Sequence, residues 1–299
     1  MENGFTNSFH QAKQTYSRCA LITLAVEILI QGCGVLLSLL LNGLPLSPSA
    51  GTLLTQLPVP LILLAAGFLL RGREEKLSFH TALRPAEWLR LFLIALPIIY
   101  GGNLLGNLLA SALTMGKAYN RLGMLTARMD LPLALYIVFL GPFSEEFFFR
   151  GALLPRMVPY GQKTALILSA LFFALYHVNL YQFFYAFGIG LLLGTVALKT
   201  GNILAGFLLH ASVNLLGGVI PVLLTQWSDS ALVWFSLAML TLAVFGIAPL
   251  RRFRQEMTFA PAPLELPSDI SARAAARNTG FVLLLVFSLG FIFLDLFSS

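Results

Sequence analysis

Long apolar segments dominate this chain and constrain its fold more than any other feature of the sequence. A membrane-spanning helix needs roughly 20 mostly apolar residues. Candidate segments lie at 18–41, 53–70, 89–112, 131–156, 164–178, 181–198, 202–225, 230–249 and 280–297. They show little of the strand-like alternation of a membrane barrel, and helices satisfy their own backbone hydrogen bonds in lipid. The sequence therefore predicts an all-α polytopic membrane protein with eight or nine transmembrane helices.

The composition excludes the soluble classes of protein. Hydrophobic residues make up 58% of the chain and charged residues only 11%, whereas an ordinary soluble domain is about 25% charged. The net charge of +6 is compatible with a nucleic-acid partner. However, the basic residues lie in short loops between apolar segments, where membrane topology explains them. We therefore expect the lipid bilayer as a partner and no nucleic acid.

The Lys and Arg residues are distributed unequally between the two ends of the predicted helices. If the N-terminus is cytoplasmic, 16 of the 19 fall inside, and the three outside are Lys117, Arg121 and Arg128. The positive-inside rule then predicts a multi-pass protein with a cytoplasmic N-terminus.

The whole chain, 1–299, is predicted to be a single membrane domain. The segment 251–279 contains three prolines and several arginines. It is predicted to be a cytoplasmic linker before a last helix.

Ionisable residues inside the apolar segments are few, and each needs a partner or a function because a buried charge is costly in a bilayer. Glu146 and Arg150 are four residues apart, so they share a helix face and can pair. Counting about 1.5 Å per residue from the helix ends places four other polar side chains in one slab near the middle of the bilayer. These four are Glu145, His177, His210 and Asn214.

Each of these groups also has a purely structural interpretation, as a polar contact between helices. That interpretation suits Glu146 with Arg150, and it suits Glu27 in the first span. Asp295 is expected at the lipid–water boundary. Structural contacts alone would not require four polar groups at one depth, so the set of four favours a functional site.

The order and spacing of these residues resemble the CPBP family, which comprises the type II CAAX prenyl proteases and their bacterial relatives, also called the Abi family. Three motifs carry the resemblance: Glu-Glu-x-x-x-Arg at 145–150, Phe-x-x-x-His at 173–177 and His-x-x-x-Asn at 210–214. It covers about residues 130–220, the expected catalytic core helices. The context at 177–182 and the glycines of 188–194 are similar to the bacterial branch, which implies a bacterial plasma membrane.

The resemblance implies an intramembrane glutamic-type endopeptidase that hydrolyses a membrane-associated peptide or protein. Glu145 would be the general base, His177 would hold the same water, and His210 with Asn214 would donate hydrogen bonds to the oxyanion. The supporting residues would be Glu146, Arg150 and Phe173. No cofactor is expected, and no serine or cysteine is placed as a nucleophile.

The sequence leaves several alternatives open. Glu145, His177 and His210 could form a His₂Glu zinc site, although the nearby Arg150 disfavours a dication. The chain could instead be a silent scaffold, a bacteriocin-immunity factor or a proton-coupled transporter. The phenylalanines at 147–149, 172–173 and 183–184 either line an apolar groove or pack in the core. Because the depth estimates lie slightly nearer the cytoplasmic ends, substrate entry from the cytoplasm or the inner leaflet is expected.

Overall fold

The computed structural model describes residues 2–71, 83–117, 120 and 129–297, and within these ranges the chain is almost entirely helical, with no strand. The helices are α1 (Glu2–Leu41), α2 (Pro48–Gln56), α3 (Pro58–Leu70), α4 (Pro85–Thr114), α5 (Leu131–Tyr160), α6 (Gln162–Tyr176), α7 (Leu180–Thr200), α8 (Ile203–Trp227), α9 (Asp229–Glu256), α10 (Ser268–Ala276) and α11 (Thr279–Phe297).

Eight helical segments are long and apolar enough to cross a membrane, which confirms the predicted all-α polytopic architecture. The helices α2 and α3 together form one of them, Pro48–Leu70, and α11 is another. The fifth predicted span is the 15-residue helix α6, which rises only about 22 Å. Four residues of the charge count, Arg73, Lys76, Arg121 and Arg128, lie outside the described residues.

Helix α7 packs closely between α4 and α6, and small residues make this possible. A Cβ atom added at Gly102 of α4 would lie 2.5 Å from the Tyr185 Cα, and one added at Gly106 would lie 2.9 Å from the Leu180 carbonyl oxygen. On the other side of α7, a Cβ at Gly190 would lie 3.0 Å from the Ala170 Cα. Since helices in lipid associate mainly by close packing, these glycines set the position of α7.

The first and last helices of the chain pack against each other. Glu27 of α1 is buried, and its carboxylate accepts a 2.9 Å hydrogen bond from the Ser288 hydroxyl of α11. The predicted linker 251–279 contains the end of α9 and the short helix α10. Ser271 of α10 is buried, and its hydroxyl lies 3.0 Å from that of Tyr16 in α1. The C-terminal helices α10 and α11 therefore both pack against α1.

The start of α5 is fixed by a capping residue that also contacts α2. Asp130 accepts hydrogen bonds from the Leu133 backbone N–H at 3.1 Å and from the Ser49 hydroxyl at 2.5 Å. The Ser49 hydrogen bond, together with the helix cap, holds the pKa of the Asp130 carboxyl below its usual range.

Helices α5 and α8 are irregular where they approach each other. α5 contains two π-helical segments, Tyr136–Leu140 and Phe147–Leu153, and α8 contains a third, Leu215–Val219. Such bulges redirect side chains and release backbone carbonyls from the regular hydrogen-bond ladder, and they are frequent at functional sites. The two π segments of α5 flank the segment that carries Glu145.

Neighbouring glycines in α4 provide a test of the α4–α7 contact. Gly102→Ala should destabilise the protein by about 1–3 kcal/mol, because its Cβ would overlap the Tyr185 backbone. Gly101→Ala is the matched control, since a Cβ there meets nothing within 4 Å. It should leave stability unchanged or raise it by up to about 1 kcal/mol. Thermal unfolding of the purified protein in detergent measures both, and equal melting temperatures would contradict this packing.

Candidate active site

A cavity of about 960 Å³ is lined by residues of every helix from α1 to α8 and of α11. The four residues that the sequence predicts as catalytic all line it: Glu145 from α5, His177 from the end of α6, and His210 and Asn214 from α8. The three motifs, which are separate in the sequence, therefore meet at one cavity.

A fully buried ion pair lies directly behind Glu145. The Arg150 guanidinium donates to the Glu146 carboxylate at 2.9 Å, and the two side chains are 0% and 1% exposed. Arg150 also donates to the Gly190 carbonyl of α7 at 3.3 Å, and its guanidinium carbon lies 4.4 Å from the centre of the Phe173 ring. The i,i+4 spacing predicts this pair, and the structure shows how α6 and α7 stabilise it.

His210 lies between the two adjacent carboxylates of α5. Its Nδ1 lies 3.1 Å from Glu146 Oε1 and its Nε2 lies 3.7 Å from Glu145 Oε2. Because an ionised carboxylate only accepts hydrogen bonds, Nδ1 of His210 carries a proton and donates it to Glu146. The second ring nitrogen is thereby directed toward Glu145.

The charges of this cluster balance only if it holds one further proton. Glu145 and Glu146 together carry two negative charges against the single positive charge of Arg150. An uncompensated charge is costly in a buried site. One proton on the Glu145–His210 pair neutralises the cluster. Glu145, whose side chain is 15% exposed, is the carboxylate of the two that lines the cavity.

His177 is held by the residue that begins its motif. Its Nδ1 lies 2.7 Å from the backbone carbonyl oxygen of Phe173. A carbonyl only accepts, so Nδ1 donates and Nε2 is left as a hydrogen-bond acceptor for the cavity. The buried Phe173 ring packs edge to face on both imidazoles, with centroid distances of 4.8 Å to His177 and 5.9 Å to His210. Phe173 therefore fixes both histidines.

The turn after His177 is strained. Val178 has a φ of +42°, a left-handed conformation that is unfavourable for a β-branched residue. Asn179 caps α7 by accepting a hydrogen bond from the Gln182 backbone N–H at 3.2 Å. Val178, Asn179 and Gln182 all line the cavity.

Asn214 is held by a carbonyl that the irregular part of α5 leaves free. The π turn directs the Gly141 N–H to the Tyr136 carbonyl, and Pro142 has no N–H to donate. The Ile137 carbonyl instead accepts a 2.9 Å hydrogen bond from Asn214 Nδ2. One N–H and the carbonyl oxygen of the Asn214 amide remain for the cavity.

The phenylalanines divide between the two interpretations that the sequence leaves open. Among the phenylalanines considered as a groove, Phe173 lines the cavity, whereas those at 147–149 and 172 are buried in the core. Asp295, close to the end of α11 at Phe297, also lines the cavity. The prediction also missed the lining residues Gln31 and Asn103; the only signal for them is an uncharged polar residue within an apolar span.

The direction of the cavity also differs from the expectation of cytoplasmic entry. Its lining residues run from the middle of the helices toward Leu41, Thr114, Trp227 and Phe297. Under the predicted orientation these ends are the outer ones. The lining therefore does not support entry from the cytoplasmic side.

The zinc alternative requires three protein ligands grouped around one ion. Within the part of the chain that the structure describes, no three or more His, Cys, Asp or Glu side chains are grouped so as to hold a metal ion. Glu145, His177 and His210 share the cavity without forming such a group.

The comparisons with known proteins agree with the motifs. A family model described as type II CAAX prenyl endopeptidase Rce1-like matches residues 126–216. All three motifs lie inside this range. No curated protein and no solved structure matches the chain. The match indicates a membrane-embedded protease and covers the helices that supply Glu145, His177, His210 and Asn214.

Removing one member of the buried ion pair should be far more damaging than removing both. Arg150→Met leaves Glu146 buried without its cation and should cost about 3–5 kcal/mol of stability. The double variant Arg150→Met/Glu146→Gln should recover much of this loss. Arg84→Met, which breaks the exposed pair with Glu87, is the control and should barely change the melting temperature. A double variant no more stable than Arg150→Met would contradict this account.

The Asn214–Ile137 hydrogen bond gives a second test. Asn214→Ala leaves the Ile137 carbonyl without its partner and should destabilise the protein by about 1–3 kcal/mol. Pro142→Ala supplies a backbone N–H that can take over this carbonyl. In the Pro142→Ala background, Asn214→Ala should therefore lower the free energy of unfolding by less than it does in the wild type. Unfolding in detergent of the wild type, the two single variants and the double variant measures this difference. Equal costs in both backgrounds would show that Pro142 does not free the carbonyl.

Proposed function

We propose that this chain, which belongs to the CPBP family of type II CAAX prenyl endopeptidases, hydrolyses a peptide bond in a membrane-associated peptide or protein by a glutamate-activated water. One observation carries the proposal. Glu145, His177, His210 and Asn214 line a single cavity, and a buried ion pair and an aromatic ring orient them from behind.

Attack on the peptide bond would begin with a water held between two acceptors. Ionised Glu145 accepts one hydrogen of the water and the free Nε2 of His177 accepts the other. As the water oxygen bonds to the carbonyl carbon, its first proton moves to Glu145. The proton of the neutral cluster then resides on His210, whose Nε2–H faces the reacting group.

The developing oxyanion would be stabilised by two donors on one face of α8, the Nε2–H of His210 and the remaining N–H of Asn214. Protonated Glu145 then delivers its proton to the leaving nitrogen as the C–N bond breaks. The water thus supplies the hydroxyl of the new carboxyl group and a proton of the new amine, and Glu145 returns to its ionised form.

Glu146 and Arg150 are positioning residues in this scheme. Glu146 binds the His210 Nδ1–H, which directs Nε2 toward Glu145. Arg150 neutralises Glu146, so the proton stays between Glu145 and His210. Phe173 holds both imidazoles and the guanidinium through its ring.

Water is the proposed nucleophile because the cavity offers no better one. Its described lining contains no serine or cysteine. Ser144, next to Glu145, is buried, and its hydroxyl donates to the Gly141 carbonyl at 2.8 Å. The proposed mechanism uses no metal, which the nearby Arg150 guanidinium supports. We also propose a bacterial plasma-membrane location with a cytoplasmic N-terminus, on the basis of the Lys and Arg distribution.

The experiment that tests the activity compares peptide termini in membranes from cells with wild type, Glu145→Gln or Glu87→Gln at equal expression. Wild type and Glu87→Gln should produce the same set of new termini. Glu87 is half exposed at the start of α4, whereas the α4 residues that line the cavity, Ile99 and Asn103, lie in the middle of that helix. Glu145→Gln should lose them, because removal of a general base slows such reactions by about 10²–10⁴-fold. Identical termini in all three would favour the scaffold or immunity alternative.

A chelator then tests the metal-free part of the proposal. Cleavage of the identified substrate by purified protein should be unchanged by excess EDTA. Loss of cleavage that added zinc restores would replace the glutamate mechanism with the zinc alternative.

A further inference from the structure

The cavity occupies one half of the helical bundle. On α1 its lining residues are at 30–35, close to the end at Leu41, and on α11 they are at 291–295, close to the end at Phe297. On α2 and α3 they lie at 55–59, and on α7 they lie at 182–189, the first half of that helix. Every helix thus contributes from its middle or from the same end of the bundle.

The ends of the helices on that side carry few basic residues. In the described part of the chain, Lys117 is the one Lys or Arg in the connections there. The opposite ends carry many, including Arg84, Arg156, Lys163, Lys199, Arg251, Arg252 and Arg254. By the positive-inside rule, the side with many cations is cytoplasmic, so the cavity extends toward the outer face.

A layer of closely packed, buried side chains separates the cavity from the cytoplasmic ends of the helices. All seven residues of the π segment Phe147–Leu153 are buried. Phe172 is buried as well. These side chains fill the space below Glu145, so they close the route from the cytoplasm.

The outer part of the cavity suits a substrate that is partly in lipid and partly in water. Val35 and Leu294 line it and are each 61% exposed on the surface of the bundle. Gln31, Asn103 and Asp295 line it with polar groups. A peptide anchored in the outer leaflet can keep its apolar part in lipid while a polar backbone segment enters the cavity.

We infer that the substrate reaches Glu145 from the outer face of the membrane, as a peptide segment exposed in or near the outer leaflet. This inference rests on the proposed protease function and narrows its substrates to peptides already exported or exposed on that face. A segment confined to the cytoplasm would not reach the site.

Accessibility of single cysteines tests the inference. In a Cys19→Ala/Cys33→Ala background, Gly34→Cys and Gly218→Cys each place a thiol on the cavity lining, where an added Cβ meets nothing within 4 Å. Lys163→Cys, at the exposed start of α6, marks the opposite end. The probe is a permanently charged, membrane-impermeant maleimide, applied to spheroplasts and to permeabilised membranes.

The two cavity thiols should be modified in intact spheroplasts and Lys163→Cys only after permeabilisation. Modification across the membrane should be slower by about 100-fold, because the charged probe crosses the bilayer poorly. Modification of the cavity thiols only after permeabilisation would overturn the inference. It would also be overturned if the cavity thiols stay unreactive in both preparations while Lys163→Cys reacts after permeabilisation.

Cleavage distinguishes this inference from the proposed function. Probe added outside should abolish the Glu145-dependent termini in cells with Gly218→Cys and leave them unchanged with Lys163→Cys. If Glu145→Gln alters no termini, the protease proposal fails while the labelling pattern still reports the open face. If Glu145→Gln abolishes cleavage but the cavity thiols react only from inside, the inference alone fails.

Discussion

The buried ion pair between Glu146 and Arg150 is the interaction on which the rest of the site depends. Two charges removed from water are tolerated only where further contacts satisfy them. Arg150 meets the Gly190 carbonyl and the Phe173 ring, and Glu146 meets His210. One pair within α5 therefore specifies where α6, α7 and α8 must lie.

The geometry around this pair explains two of the small residues. A Cβ at Gly206 of α8 would lie 3.1 Å from Glu146 Oε2, so glycine there lets the helix approach the carboxylate. Gly190 similarly brings the α7 backbone within reach of Arg150 and of α6. Close backbone approach in lipid requires small side chains, and here it also delivers a carbonyl to a buried cation.

Irregular backbone serves the same site from the cavity side. Departures from regular helix are tolerated at membrane depth when the freed groups find partners or line a cavity. The Ile137 carbonyl finds Asn214, and the strained Val178 turn sets His177 at the end of α6. The terminal helices complete the cavity with Gln31 and Asp295, although both lie outside the matched range 126–216.

The sequence by itself determined the features that depend on local spacing. Apolar length predicted nine candidate spans, of which the structure confirms eight, and the separation of four residues predicted the Glu146–Arg150 pair. Counting residues along helices also placed Glu145 and His210 at one depth, since the helical rise is fixed.

Only the tertiary structure decided what those residues face. Glu27 and Ser288 are 261 residues apart, and no local pattern predicts that α1 and α11 meet or that Asp295 lines the cavity. The position of His210 on Glu146 likewise follows from how α8 packs on α5. Residue counting gives depth along the membrane normal but not which end of the bundle is filled with side chains. That packing, and not the depth of Glu145, determines the open face.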